Sequence, residues 1–218
     1  MQISCIICAY NEGERILEVL NVTRETALLD EIIVVNDGST DNTKEILSKI
    51  DRIKLIDLEK NMGKGDAMQT GIENSNGEII LFLDADLKGL TKRHIEDLLE
   101  PIIRREVDMT LSFRDNSGEP LFGIDIFSGE RALRREILQK INLRGTGYGT
   151  EAAINKFIVE NGYGWKSIKC RGLKITLKEE KFGLFRGLFK HYRMYWNINK
   201  RFPGQFFMWF KMGLGQKR

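Results

Sequence analysis

The sequence predicts an α/β fold, a mostly parallel sheet with helices on both faces, and three observations predict it. Short apolar, β-branched runs alternate with segments of helical periodicity from Ile3 to Phe113. One run, Ile79-Ile80-Leu81-Phe82-Leu83, is apolar at every position, as a strand buried on both faces must be. That run stops in Asp84-Ala85-Asp86, and ligands of open α/β sheets bind at the carboxyl ends of the strands. Two aspartates two apart in an extended chain point the same way, so Asp84 and Asp86 can share a divalent cation such as Mg²⁺ or Mn²⁺.

Ile3 to Ala9 reads as the first strand, followed by Tyr10-Asn11-Glu12-Gly13, and Glu14 to Leu29 as a helix through Ile16, Leu20 and Leu28. Glu31 to Val35 is a second strand, and the polar turn Asn36 to Asp41 caps a helix that begins near Asn42. Ile53 to Leu58 is a third strand. A loop over Asn61 to Asp66 precedes a short helix, Ala67 to Glu73. After the central strand, Thr91 caps a helix that runs through Arg104, and Asp108 to Phe113 is a strand. Ser128 to Gln139 and Thr150 to Asn161 read as helices around the glycine-rich Gly145 to Gly149. Trp165 to Cys170 and Leu173 to Leu177 are closing strands.

The chain of 218 residues, 42% hydrophobic and 30% charged, suits one globular domain plus an appendage. Neither a signal peptide nor an apolar stretch long enough to span a bilayer is expected. Three cysteines argue against a disulfide framework and for a reducing compartment. Cys5 and Cys8 face opposite ways in a strand and read as small buried hydrophobes.

Charge is unevenly placed. Residues 181–218 hold nine Lys or Arg, no Asp or Glu and eleven of the twenty aromatic residues, which leaves the first 180 residues at net −6. The expected organisation is therefore a domain over 1–180 and a basic aromatic tail over 181–218. Phe182, Phe185, Phe189, Tyr192 and Trp196 form one helical stripe, with Arg186, Lys190 and Arg193 beside it. An amphipathic helix of this kind suits an anionic membrane surface, through residues 182–211, or docking onto the core or a second copy in a homodimer. Nucleic acid is not an expected partner, since the core is acidic and no recognition motif is present.

Four motifs in series carry a family resemblance: Ser4 to Glu12, Glu31 to Asp41, Asn61 to Gly71, and Asp84-Ala85-Asp86. The chain resembles the family-2 glycosyltransferases over roughly residues 1–180, and within them the short dolichyl-phosphate mannose and glucose synthases. The resemblance implies a GT-A fold, which is Rossmann-like, a nucleoside-diphosphate-sugar donor, a divalent metal, an inverting reaction and a lipid-phosphate acceptor. UDP-glucose and GDP-mannose are the donors to expect. A cytoplasmic protein peripheral to the inner face of the cell membrane follows from the acceptor.

Roles follow position by position. Ala9, Tyr10 and Glu12 match donor-binding positions, the latter two beside base and ribose. Asp37 matches the acid that accepts hydrogen bonds from the base. Lys64, between two glycines, matches the loop beside the diphosphate. Asp86 would be the principal metal ligand. Asp84, with Ala85 beside it, would hold the ribose or complete the metal shell. Arg114 matches a phosphate-binding position, Arg131 and Arg134 fall in the acceptor-loop region, and Glu151 matches the acid that often serves as base. A phosphate acceptor, with a second pKa of about 6, needs arginines more than a base. Asn36 replaces a common first aspartate, and Lys88 stands where the mannose-phosphate synthases have a metal-binding glutamine. His94 and His191 are weak candidates for metal ligation. Rival readings are a soluble transferase acting on a small phosphorylated acceptor such as phosphoglycerate, and a degenerate nucleotide-sugar-binding scaffold. A sugar-nucleotide pyrophosphorylase would instead need a basic glycine-rich loop after the first strand.

Overall fold

The computed structural model describes residues 1–115, 125–176 and Met212. The expected stripe from Phe182 to Trp196, the rest of the 182–211 segment, His191 and the end of the last strand at Leu177 lie outside the described residues.

The expected α/β sheet is present. The strands are β1 (Ile3–Ala9), β2 (Glu31–Asn36), β3 (Lys54–Asp57), β4 (Ile79–Asp84), β5 (Leu87–Lys88), β6 (Met109–Arg114), β7 (Arg131–Arg134), β8 (Trp165–Cys170) and β9 (Lys174–Ile175). Seven of them form one sheet in the order β3-β2-β1-β4-β7-β6-β8, while β5 and β9 pair separately. Strands β1 to β4 are mutually parallel and β6 is parallel to β8. Within that sheet, among the described residues, β7 runs antiparallel to both of its neighbours, and outside it β5 and β9 are antiparallel to each other.

The α-helices among the described residues up to 176 are α1 (Arg15–Arg24), α2 (Thr43–Leu47), α3 (Lys64–Glu73), α4 (Lys92–Ile103), α5 (Arg135–Leu138) and α6 (Thr150–Glu160). Alternation along β1 divides the core in two. Cys5 and Ile7 pack in one cluster with Val19 and Leu20 of α1 and Leu98 and Leu99 of α4. Ile6 and Cys8 face the other, with Met68 and Ile72 of α3 and Ile154 of α6. The two cysteines thus point to opposite faces, and burial pushes the Cys8 thiol up to about 12. Met212 is fully buried in the second cluster.

Four elements differ from expectation. The predicted helix over Ser128–Gln139 is instead β7 followed by the single turn α5. Arg131, Ala132 and Leu133 are buried between β4 and β6, and ladder pairing overrides the helical propensity of the segment. Helix α1 stops at Arg24, where Thr23 and Thr26 turn their hydroxyls back onto the carbonyls of the preceding turn. Helix α3 begins at Lys64, earlier than predicted, because Gly63 takes φ +94° at its N-cap. Strand β9 pairs with β5, a two-residue strand too short to show in the sequence.

Candidate active site at the carboxyl edge of the sheet

Strands β1, β2 and β4 all end at one edge, and the strand order reverses between β1 and β4. The predicted residues gather there. Tyr10 follows β1 and is 44% exposed, while Ala9 and Ala85 are buried. Glu12 accepts from Arg15 Nε at 2.8 Å, and its backbone N–H donates to Thr43 Oγ1.

Asp37 is buried after β2, and both its oxygens accept backbone donors, Met62 N–H at 2.7 Å and Gly63 N–H at 2.9 Å. Burial pushes its carboxyl up, and the two amides oppose that. Gly38 is needed at this turn, at φ +63°, since a Cβ would lie 2.3 Å from the Lys60 carbonyl carbon. Asp37 therefore fixes the residues immediately ahead of Lys64.

Lys64 is the hub. Its ammonium lies 2.7 Å from Asp84 Oδ1 and 2.7 Å from Glu151 Oε1. Burial works against the ammonium, but the two carboxylates outweigh it and hold the lysine above its ordinary pKa. Asp84 is likewise opposed by burial, yet Lys64 and then Arg114 keep its pKa below the usual range. Helix α3 aims the lysine because Gly65 packs tightly against the Leu143 carbonyl, which a Cβ would approach to 2.3 Å.

On the far side of Asp84 lies a second cluster. Arg114 Nη2 donates to Asp125 at 2.8 Å, and Nη1 is 3.3 Å from Glu130 Oε1 and 4.0 Å from Asp84 Oδ2. Glu130 has no exposed surface and also accepts from Ser112 Oγ and Ser128 Oγ, each at 2.7 Å. Gly129 permits the approach, since a Cβ there would meet both Asp84 oxygens at 2.3–2.4 Å. Sequence reasoning missed Glu130 and Asp125. The signal it passed over was the Ser128-Gly129-Glu130-Arg131 run, where a glycine precedes two charges that the sheet then buries.

Arg131, Arg134 and Asp86 are placed as follows. Arg131 has no exposed surface, and its guanidinium donates to the Ser128 carbonyl and to Asn155 Oδ1 at 3.1 Å. Arg134 pairs in register with Ile79, at the opposite end of β4, and lies near Asp108 instead. Strand β4 ends at Asp84 and residues 85–86 form a turn, so strand alternation does not fix the direction of the buried Asp86. The Asp86 carbonyl accepts from Thr176 Oγ1 at 3.0 Å. His94 packs in α4 with Nε2 3.0 Å from the Arg171 carbonyl, as a structural residue.

The donor chemistry fits a hard divalent cation. Two carboxylates stand at the end of β4, and one already holds a cation, the Lys64 ammonium. No group of three metal-ligating His, Cys, Asp or Glu side chains occurs among the described residues. Substrate phosphate and water would therefore have to complete the shell, the usual arrangement for Mg²⁺.

A protein-family model described as glycosyl transferase family 2 matches residues 4–162. The chain belongs to that family. Among curated relatives, a dolichyl-phosphate beta-glucosyltransferase of Trichomonas vaginalis is 35% identical over 191 residues, which are 81% of this chain and 54% of the relative. A second from the same organism is 46% identical over 40% of this chain and 29% of its own length. The human dolichyl-phosphate beta-glucosyltransferase is 38% identical over 42% of this chain and 32% of its own. The matched segment thus spans about half the length of these relatives or less. Among solved structures, glucosyl-3-phosphoglycerate synthase from Mycobacterium tuberculosis with Mn²⁺ and UDP-glucose superposes with a TM-score of 0.74 at 22% identity. That superposition covers 92% of this chain and 79% of the other. It bears out the GT-A fold expected of a family-2 member. No helix among the described residues is long and apolar enough to cross a membrane.

Proposed function

We propose that the chain is a metal-dependent, inverting glycosyltransferase that moves one hexose from a nucleoside diphosphate to a polyprenyl-phosphate acceptor. Glucose from UDP-glucose is the first choice and mannose from GDP-mannose the second. The observation that carries the reading is the meeting of Lys64, Asp84 and Glu151 at the carboxyl edge of β4, with Asp37 fixing the residue before Lys64. Relatives named as dolichyl-phosphate beta-glucosyltransferases support the choice of sugar and acceptor.

In this reading Tyr10 and Asp37 bind the base, and Lys64 leaves one of its carboxylates to meet the diphosphate. Asp86 and Asp84 would hold Mg²⁺ or Mn²⁺, which when bound neutralises charge on the leaving nucleoside diphosphate. An acceptor phosphate oxygen attacks the anomeric carbon opposite the donor diphosphate. The new carbon–oxygen bond forms as the bond to the diphosphate breaks, inverting the centre. The acceptor is already ionised at neutral pH, so no base is required. Glu151, bonded to Lys64, then orients that lysine rather than taking a proton.

A second reading, transfer to a small phosphorylated acceptor, draws on Met212. Met212, one residue beyond the 182–211 segment, is buried in the core rather than available to a bilayer. Incubation with labelled UDP-glucose or GDP-mannose, a polyprenyl phosphate in detergent, or 3-phosphoglycerate tests both. Label moving to the lipid supports the first reading. Label moving only to phosphoglycerate replaces it with the second, and no transfer to either refutes both.

A further inference from the structure

We infer that Glu130 is a positioning residue that draws Arg114 to itself and keeps it from closing further on Asp84. Its carboxylate is the most enclosed in the cluster. It is anchored by two serine hydroxyls at 2.7 Å on Oε2, and its backbone carbonyl takes the Ser112 N–H at 2.9 Å. The other oxygen, Oε1, draws Arg114 Nη1 to 3.3 Å, while the same nitrogen stands 4.0 Å from Asp84. Asp125 fixes the second guanidinium nitrogen.

A buried arginine seeks the carboxylates within reach, because an unpaired buried charge is strongly unfavourable. With Glu130 neutral, Nη1 keeps only an uncharged acceptor there, and Asp84 becomes the remaining carboxylate near that nitrogen. The guanidinium would close the 4.0 Å gap and engage Asp84 from the side opposite Lys64. Both oxygens of Asp84 would then be taken by cations of the protein itself, Lys64 on Oδ1 and Arg114 on Oδ2. Serine anchors explain why the acid stays put: Ser112 and Ser128 come from β6 and the turn before β7, and they leave Oε1 directed at Arg114.

The test follows the Arg114 side-chain Nε–Hε signal by ¹⁵N NMR, assigned with Arg114→Lys, in wild type and Glu130→Gln. In parallel, calorimetry measures UDP binding with Mn²⁺ and with EDTA. Glu130→Gln should shift the Arg114 signal and weaken Mn²⁺-dependent UDP binding at least tenfold, leaving binding in EDTA within twofold. The double variant Glu130→Gln/Arg114→Met should recover most of that loss, which a merely destabilising change would not. Ser128→Ala, a milder loosening of the same carboxylate, should shift both readouts in the same direction by less, and it serves if Glu130→Gln folds poorly. An unmoved Arg114 signal overturns the inference, as does a moved signal with unchanged Mn²⁺-dependent affinity or no recovery in the double variant. The second arm rests on the proposed donor site. If wild type binds neither UDP nor GDP with metal, that proposal fails, and the Arg114 signal alone decides the positioning claim.

Discussion

Replacing Lys64 by Met removes a cation from between two partly buried carboxylates and leaves them facing each other. The ammonium makes two charge-assisted contacts at 2.7 Å, to Asp84 and Glu151, with 28% of the lysine side chain exposed. Hydrogen bonds to charged groups are worth about 1.5–3 kcal/mol each, and breaking a buried pair costs about 3–5 kcal/mol. Discounted for solvent screening of the exposed part, the expected loss is about 3 kcal/mol. At about 2–4 °C per kcal/mol for a chain of this size, the melting temperature should fall by roughly 6–12 °C at pH 7. The pH dependence has a definite sign. Asp84 has a depressed folded-state pKa, so its contribution is present above the unfolded value near 3.9 and lost as pH falls through the folded one. Lys64 has a raised folded-state pKa, so its contribution is full below the unfolded value and lost only as pH rises through the folded one. The gap between wild type and variant should therefore be widest near neutrality and narrow in acid, as pH falls through the Asp84 value. Thermal denaturation of both proteins from pH 3.5 to 8 reads this directly. A variant as stable as wild type at pH 7, or a gap that ignores pH, refutes the reasoning.

Gly129→Ala places a Cβ 2.3–2.4 Å from the Asp84 oxygens and must push that carboxylate off Lys64, so UDP should no longer raise the melting temperature in Mn²⁺. Asp37→Asn keeps one acceptor for the Met62 and Gly63 amides and loses the other. An unmet buried amide costs about 1–3 kcal/mol, seen as faster hydrogen exchange at Gly63 and a lower urea midpoint. Met212→Ala should cost about 2–4 kcal/mol in urea denaturation, since the side chain is fully buried. An unchanged midpoint would contradict the burial of Met212.

What was legible in the sequence was what the backbone decides locally. Strands β1, β2 and β4 announce themselves as β-branched runs, and α4 by Thr91, whose side chain accepts from the His94 N–H. The acid-ended central strand marked the site because buried strands seldom finish in carboxylates without a cation, and Lys64 is that cation. Strand β7 was hidden because Arg131 and Arg134 bracket only two apolar residues, a pattern that reads as a solvated helix until β4 and β6 bury it. Glu130 was hidden for the same reason. A glutamate beside an arginine resembles a surface pair, and its burial depends on serines and an arginine drawn from β6. Long-range pairing of this kind leaves no periodic trace.

The central claim is a nucleoside-diphosphate site that uses the acids ending β4 together with a divalent cation. Calorimetric titration of UDP and GDP into wild type and Asp86→Ala, with Mn²⁺ and with EDTA, tests it most directly. One nucleotide should bind wild type in Mn²⁺ and weaken at least tenfold both in EDTA and in the variant. Equal affinity under all these conditions would contradict the account.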